Sequence, residues 1–294
     1  MKDAFSKMHP VTNLIFFAAV IAFSMFLMHP VCLMLTLICA VVYAVYLSGK
    51  KAVLFGLRFL LPTALFLIII NPLLNHRGVT IIEYLPWDNP LTLESIIYGF
   101  AAAMVICSAA MWFHSLNRVL TSDKLIFLFG RIAPALGMVL SMALRFIPRF
   151  AEQFRQTRLA QKQFSAEKTS LKGRVKSAAA VFSTVISSSM ENAIDTSESM
   201  KSRGYGLKGR TSYKRFRFTR DDALAVAVML ADIAALITML VFGKLEFKYF
   251  PSIKGNIWDI YAVLFYILYL MLLLTPILIS GKEGYKWKRS KSKI

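Results

Sequence analysis

Residues 11–28 read VTNLIFFAAVIAFSMFLM, and after His29 and Pro30 a second apolar run, VCLMLTLICAVVYAVYL, covers residues 31–47. Each run approaches the roughly 20 apolar residues that a helix needs to cross the hydrocarbon core. An N-terminal apolar run after lysines can also be a secretory signal. No small-x-small cleavage site follows this one, and the second run starts at once. The two runs therefore predict a tight hairpin of transmembrane helices.

Four further apolar runs are candidate spans, at residues 59–74, 96–113, 223–242 and 257–279. Of the 294 residues, 57% are hydrophobic, whereas soluble domains typically contain about 45–50% apolar residues. The sequence therefore predicts an all-α integral membrane protein with about six transmembrane helices.

Lysines and arginines indicate on which side of the membrane the loops lie. A short loop predicted after the second span holds Lys50, Lys51 and Arg58. The C-terminal tail holds Lys282, Lys286, Lys288, Arg289, Lys291 and Lys293. The loop over residues 75–94 is acidic in balance, as expected outside the cell. The last outer loop runs against the rule, with Lys244, Lys248 and Lys254. An even number of spans then predicts a multi-pass protein of the cell membrane with both termini cytoplasmic.

Residues 118–221 form a cytoplasmic insertion that carries most of the formal net charge of +19. Such a charge suits nucleic acid, anionic lipid or an acidic partner. The insertion lacks interleaved aromatic stacking residues except near residues 205–218, which argues against nucleic acid. Because the basic residues 210–220 directly precede a span, we expect them to meet anionic lipid headgroups.

Two long amphipathic helices are predicted within the insertion. An apolar segment at residues 136–144 leads into the first helix. We expect this segment to lie on the membrane or dip into it. A turn at residues 168–176 separates it from the second helix, which covers residues 178–203 and ends before Gly204. The apolar positions of the two helices are Phe146, Phe150, Phe154, Phe182, Ile186, Met190, Ala193, Ser197 and Met200.

Motifs for nucleotide binding and catalysis are missing from the sequence. There is no Gly-x-x-x-x-Gly-Lys-Ser/Thr loop, so any ATP would be bound by another chain. The three cysteines lie in apolar runs, and the four histidines lie near proposed span ends rather than together. We predict a non-catalytic chain with no cofactor and no metal site.

Asp232 is the one charge near the middle of a proposed span. An acid inside a membrane is a functional candidate by default. Its carboxyl group can equally be satisfied by a neighbouring helix or a water-filled crevice. Both interpretations stay open for this residue.

Five short strings occur in order along the chain: HP at residues 9–10, NPLLNHRG at 71–78, LRFIP at 144–148, RLAQK at 158–162 and MKSRGY at 200–205. Through these strings the chain resembles the transmembrane T component of energy-coupling factor (ECF) transporters. These transporters are ABC-type importers of vitamins and trace metals. The resemblance runs over nearly the whole chain.

The spans and the insertion divide the chain into transmembrane helices at 1–117, cytoplasmic coupling helices at 118–221, and transmembrane helices with a basic tail at 222–294. The resemblance implies two long crossing coupling helices and two kinds of protein partner. These are two ABC ATPase subunits, which bind the ATP, and a membrane-embedded S component, which binds the substrate. Arg145, Pro148 and Asp232 are possible structural or coupling residues. An alternative function is a stand-alone secondary transporter or channel.

In the family each coupling helix ends in a motif like Ala-Arg-Gly that seats on one ATPase. Ser202, Arg203 and Gly204 match the second motif; the alternative is that Arg203 merely complements the negative end of its own helix. The first motif differs from this pattern, because it reads Gln163-Phe164-Ser165 and has phenylalanine in place of the arginine. That contact is expected to be hydrophobic or to use Lys162. We predict that the two ATPases are held unequally.

Overall fold

A computed structural model of the chain describes residues 3–84, 90–132, 134–164, 171–205, 216–242, 245, 247–255 and 258–291. Within these residues the helices are α1 (Pro10–Phe26), α2 (Pro30–Ser48), α3 (Lys50–Leu74), α4 (Leu93–Val119), α5 (Ser122–Ile132), α6 (Pro134–Phe164), α7 (Leu171–Ser202), α8 (Arg220–Phe242) and α9 (Ile260–Lys291). A short 3₁₀ turn covers Phe5–Lys7, and strands β1 (Ile81–Tyr84) and β2 (Pro90–Thr92) pair antiparallel.

The chain folds into two compact units. Met1–Thr121 and Phe216–Ile294 form the first unit, here called the bundle. Ser122–Arg215 form the second, here called the inserted unit. The functional division at residues 118 and 221 stays a prediction.

Helices α2, α3, α4, α8 and the Ile260–Glu283 part of α9 are each long and apolar enough to cross a membrane. Helix α1 is also apolar and has 17 residues, the lower limit for a span. The predicted all-α integral membrane fold is thus confirmed, and only residues 27–29 separate its first two helices.

The predicted loop after the second span is wrong, because Lys50, Lys51 and Arg58 lie inside α3. Gly49 alone separates α2 from α3, and its φ is 55°, a conformation that glycine adopts without a Cβ clash. Basic residues therefore mark the end of a span here without forming a loop.

The predicted turn at residues 168–176 is also wrong from Leu171 onward, where α7 has already begun. Residues 168–170 lie outside the described residues. Leucine, lysine and arginine are good helix formers, so this basic stretch does not end a helix. The apolar residues 136–144 belong to α6, which continues through Pro148.

Hydrogen bonds from the string NPLLNHRG join the end of α3 to the start of α4. Asn71 Nδ2 donates to the Ser95 carbonyl at 3.1 Å, and Ser95 Oγ donates to the Asn75 carbonyl at 2.5 Å. Gly78 lies so close to the carboxylate of Glu94 that an added Cβ would come within 2.6 Å of Oε2. The string therefore has a structural role at this end of the bundle.

Aromatic side chains form the centre of the bundle. Trp112 of α4 is fully buried and packs its ring against Phe16, with ring centroids 5.7 Å apart, and against Tyr43, with centroids 6.0 Å apart. Phe5 and Phe17 complete the cluster around Phe16. Burying such large rings supplies most of the hydrophobic packing between α1, α2 and α4.

Two buried carboxylates tie the chain ends to the bundle. Asp3 accepts hydrogen bonds from Tyr43 Oη, at 3.0 Å, and from Ser280 Oγ, which connects the N-terminal segment to α2 and α9. Asp222, at the start of α8, accepts from the His9 amide at 2.9 Å and from the amide and hydroxyl of Thr219 at 3.0 and 2.7 Å. Asp222 therefore anchors α8 to α1.

We expect Asp222→Ala to lower the free energy of unfolding by about 2–3 kcal/mol, because it leaves the amide of the buried residue His9 and the amide of Thr219 without their carboxylate acceptor. Thermal unfolding in detergent measures this loss. The matched control is Asp221→Ala, since Asp221 is exposed and makes no hydrogen bond to any described residue. Equal stability of the two variants would contradict the anchoring role of Asp222.

Candidate coupling site

Helices α6 and α7 of the inserted unit pack antiparallel along most of their length. Side chains pair in a regular order, from Gln161 with Ser177, through Gln153 with Ser188, to Arg149 with Asn192. As the position along α6 falls, the position along α7 rises, which is the order of an antiparallel pair. The two helices that sequence analysis predicted are thus present, and they contact each other directly.

Polar and small side chains make up much of the contact between the two helices. Ser188 and Asn192 of α7 are half-buried against α6, and Val181 and Val185 are the buried apolar residues of this face. Side-chain hydrogen bonds across the contact require a defined register, because a shift of one residue would turn each donor away from its acceptor. The contact therefore specifies how the two helices lie against each other.

The large apolar side chains of both helices lie beside this contact rather than in it. They line an open groove of about 510 Å³. Phe182 is 61% exposed and Met190 is 66% exposed. The lining residues are Phe150, Ala151, Phe154, Phe182, Val185, Ile186, Ser189, Met190 and Ala193. A continuous exposed apolar surface of this kind is typical of an interaction site.

Sequence analysis identified most of these apolar positions but not the groove. The spacing of Phe150 and Phe154, and of Phe182, Ile186 and Met190, showed that each set shares one helix face. It did not show that the two faces meet side by side and remain uncovered. That arrangement follows from the polar contact between the helices.

Helix α7 ends in a Schellman motif built around Gly204. Gly204 has a φ of 74°, its amide donates to the Lys201 carbonyl at 3.0 Å, and the Tyr205 amide donates to the Met200 carbonyl at 3.0 Å. The hydroxyl of Tyr205 also approaches Met138 Sδ of α6 at 3.2 Å. These contacts hold the end of α7 in one conformation against the start of α6.

Arg203 is the C-cap of α7 and is exposed. Its guanidinium makes no hydrogen bond or ion pair with any residue that the structure describes. Ser202, the last residue of the helix, donates its hydroxyl to the Glu198 carbonyl at 3.0 Å. A planar fork of donors on a rigid helix end can bind a carboxylate or backbone carbonyls of a partner chain.

The first predicted motif lies at the other end of the helix pair. Lys162, Gln163 and Phe164 form the last turn of α6, and Ser165 lies outside the described residues. Since Met138 marks the level at which α7 ends, 26 residues of α6 separate that level from Phe164. At 1.5 Å per residue the two motifs are about 39 Å apart. The structure therefore does not bring them together.

Arg145 and Pro148 are both exposed on α6. Pro148 lies inside the helix, where it cannot donate to the Leu144 carbonyl. Asp232 belongs to α8 of the bundle. None of these three residues forms a polar cluster with the helix ends among the described contacts.

An exposed ion pair shows how charges are arranged near the middle of α6. Arg155 donates two hydrogen bonds to Glu152, at 3.0 and 2.8 Å, and these bonds lower the pKa of the Glu152 carboxyl.

Groups of three or more His, Cys, Asp or Glu that could hold a metal ion do not occur among the described residues. The surface of α6 and α7 thus offers exposed apolar area and the exposed guanidinium of Arg203 to a binding partner.

Comparison with known proteins gives consistent matches. The model of the cobalt transport protein family (CbiQ) matches residues 1–213. An energy-coupling factor transporter transmembrane protein EcfT of Bacillus selenitireducens is 26% identical over 200 residues, which cover 64% of this chain and 74% of that protein. EcfT of Macrococcus caseolyticus is 23% identical over 186 residues, covering 60% and 70% of the two chains. EcfT of Bacillus subtilis is 33% identical over 108 residues, covering 36% and 40%.

We expect Gly204→Ala to loosen the end of α7, because a Cβ in the left-handed conformation costs about 1–2 kcal/mol. The amides at 204 and 205 should then exchange hydrogen roughly tenfold faster in exchange mass spectrometry, following the smaller free energy of local opening. Gly281→Ala is the matched control, since Gly281 is helical and an added Cβ meets no atom within 4 Å. Unchanged exchange in the Gly204 variant would contradict the role of the Schellman motif.

Proposed function

This chain belongs to the cobalt transport protein (CbiQ) family, and we propose that it is the transmembrane coupling subunit of an ECF importer. In this proposal it links ATP hydrolysis by two partner ATPase subunits to uptake through a membrane-embedded S component. Relatives named as energy-coupling factor transporter transmembrane proteins support the transporter role. The chain itself makes and breaks no covalent bond, and ATP is bound by the partner subunits.

The separation of the two motifs carries the proposal. Two helix ends about 39 Å apart on one paired unit can each contact a different ATPase, whereas adjacent ends would compete for one. At one end Arg203 presents an exposed guanidinium, which no described residue binds, on a Schellman cap. At the other end Phe164 replaces the arginine of the family motif, so that contact is hydrophobic or uses Lys162.

The open groove between α6 and α7 supports a second contact, with the S component. A membrane protein that reaches the groove presents apolar side chains, which fit the exposed rings of Phe150, Phe154 and Phe182. Burying this surface is favourable at about 25 cal/mol per Å² of apolar area. The same helix pair therefore holds an ATPase contact at each end and an S component contact along its side.

Transmission follows from this arrangement. Closure of the two ATPases on ATP moves the ends of α6 and α7. Hydrogen bonds such as the one from Ser177 to Gln161 keep the two helices in register. When the helix ends move, the residues that line the groove therefore move with them. The movement of the groove tilts the S component, so that the free energy of ATP hydrolysis is transmitted to the S component.

The proposed location is the cell membrane, with both termini and the inserted unit in the cytoplasm. Arg217 and Arg220 are exposed directly before and at the start of α8. This position suits contact with the anionic headgroups of the cytoplasmic leaflet. The other basic residues of that predicted stretch, at 210, 214 and 215, lie outside the described residues.

Charge reversal at Arg203 tests the ATPase contact. The chain is co-expressed with the candidate ATPase subunits of its genome and purified in detergent. Arg203→Glu should reduce the retained ATPase at least tenfold, since it replaces charge-assisted hydrogen bonds, each contributing about 1.5–3 kcal/mol, with repulsion. Phe164→Ala should change retention less than about threefold, by loss of a hydrophobic contact.

The control for this experiment is Lys201→Glu, which makes the same charge change on an exposed residue of the same helix end. Retention close to that of the wild type is expected. If Arg203→Glu and Phe164→Ala have equal effects, the unequal contact is wrong. If the wild-type chain retains no ATPase, the coupling function itself is wrong.

The groove is tested with Phe182→Ser and Met190→Ser combined in one variant. We expect at least a tenfold loss of co-purified S component with the ATPases still bound, because the two most exposed large apolar residues of the lining lose their apolar area. Val175→Ser is the control, since Val175 is 70% exposed on α7 but does not line the groove. Equal loss in both variants would contradict a specific role of the groove.

A further inference from the structure

Asp232 lies in the middle of a membrane-spanning helix, and no described residue bonds to its side chain. Helix α8 runs from Arg220 to Phe242, so Asp232 is more than two turns from either end and close to the centre of a span of about 34 Å. Its side chain is partly exposed and makes no hydrogen bond or ion pair with any residue that the structure describes. The buried acids Asp3, Glu94 and Asp222 each accept hydrogen bonds within the bundle.

Asp232 lies at the edge of the packed face of α8. Ala225, Met229 and Leu236 form the buried stripe of this helix. Asp232 flanks that stripe, with Val228 one turn before it and Ala235 one turn after it. Val228 is 52% exposed and Ala235 is half-buried. Asp232 therefore borders a partly exposed side of α8 that a further helix can reach.

The carboxyl group on this surface restricts which kind of partner can pack against it. An acid at mid-depth in hydrocarbon is stabilised by a hydrogen-bond donor, which lipid tails do not carry. A proton relay would require a series of polar side chains, whereas the positions around Asp232 on this side are Leu224, Val228, Ala231 and Ala235. Small residues let another helix approach closely, as the short side chain of Asp requires. One donor on one adjacent helix satisfies these conditions.

We propose that the side of α8 around Asp232 is the docking face for a transmembrane helix of the S component, which contributes a hydroxyl, amide or cationic donor to the carboxyl group. This inference rests on the proposed function, in which the S component is the partner inside the membrane. A second copy of this chain is disfavoured, because a two-fold interface here would place one Asp232 against another. The ATPases lie outside the bilayer and do not reach this depth.

The first test measures how much S component co-purifies with the full complex of chain, ATPases and S component. Asp232→Leu should lower S component retention at least tenfold and leave the ATPases bound. Asp232→Asn, which keeps the hydrogen-bonding capacity, should retain at least half. Ala234→Leu is the matched control on α8, because Ala234 is exposed and lies about 200° around the helix from Asp232. Wild-type retention in Asp232→Leu, or equal loss in Ala234→Leu, overturns the proposal.

A second test does not depend on the stability of the Asp232 variants. A photo-crosslinking amino acid is placed at Val228 or at Leu230 of the otherwise unchanged chain. These residues are 52% and 50% exposed and lie on opposite sides of the helix, because two residues span about 200°. The proposal predicts crosslinks to the S component from position 228 and not from position 230. Equal crosslinking from both, none from either, or crosslinks to a second copy overturn it.

The two experiments separate this inference from the proposed function. If ATPases and S component co-purify with the wild type but position 228 does not crosslink, the docking face is wrong and the coupling function stands. If neither partner co-purifies with the wild type, the coupling function fails. Crosslinking in membranes still reports independently on what covers Asp232.

Discussion

The polar contact between α6 and α7 is the interaction on which the rest of the inserted unit depends. If the phenylalanines of the two helices packed against each other, the pair would bury its apolar surface and offer nothing to a partner. Instead Gln153, Ser188 and Asn192 lie in the contact, and Phe150 and Phe182 lie beside it. Hydrogen bonds specify register more strictly than apolar packing does. The pair can thus keep its register while its apolar side chains remain available.

The same antiparallel register determines where the ends of the helices lie. Helix α7 ends at the level of Met138, and α6 ends a further 26 residues along its own axis. The Schellman motif at Gly204 terminates α7 sharply and leaves the Arg203 guanidinium exposed. A stiff pair with distinct chemistry at its two ends fits a subunit that connects two ATPases to one carrier.

The bundle follows a different rule, because its helices face hydrocarbon on the outside and aromatic rings on the inside. Polar groups are costly there unless they are paired. Asp3, Glu94 and Asp222 obey this rule through hydroxyl or amide donors within the bundle. Asp232 lacks such a donor among the described residues, which is why its side of α8 is interpreted as an interface.

Much of the fold could be predicted from the sequence, since the length and apolar character of a run decide whether a helix can cross a bilayer. Order and spacing of short strings indicated the family, and the spacing of Phe150 and Phe154 indicated a shared helix face. The loop predicted at Lys50 and the turn predicted at Leu171 were wrong, because both predictions relied on basic residues. Positive charge indicates the side of the membrane, but it does not end a helix. Only the tertiary structure decided that the apolar stripes remain exposed and that the two motifs lie at opposite ends. It also decided that Asp222 accepts hydrogen bonds while Asp232 accepts none from the described residues. A periodic sequence shows which residues share a face, but what covers that face depends on contacts between residues distant in the chain.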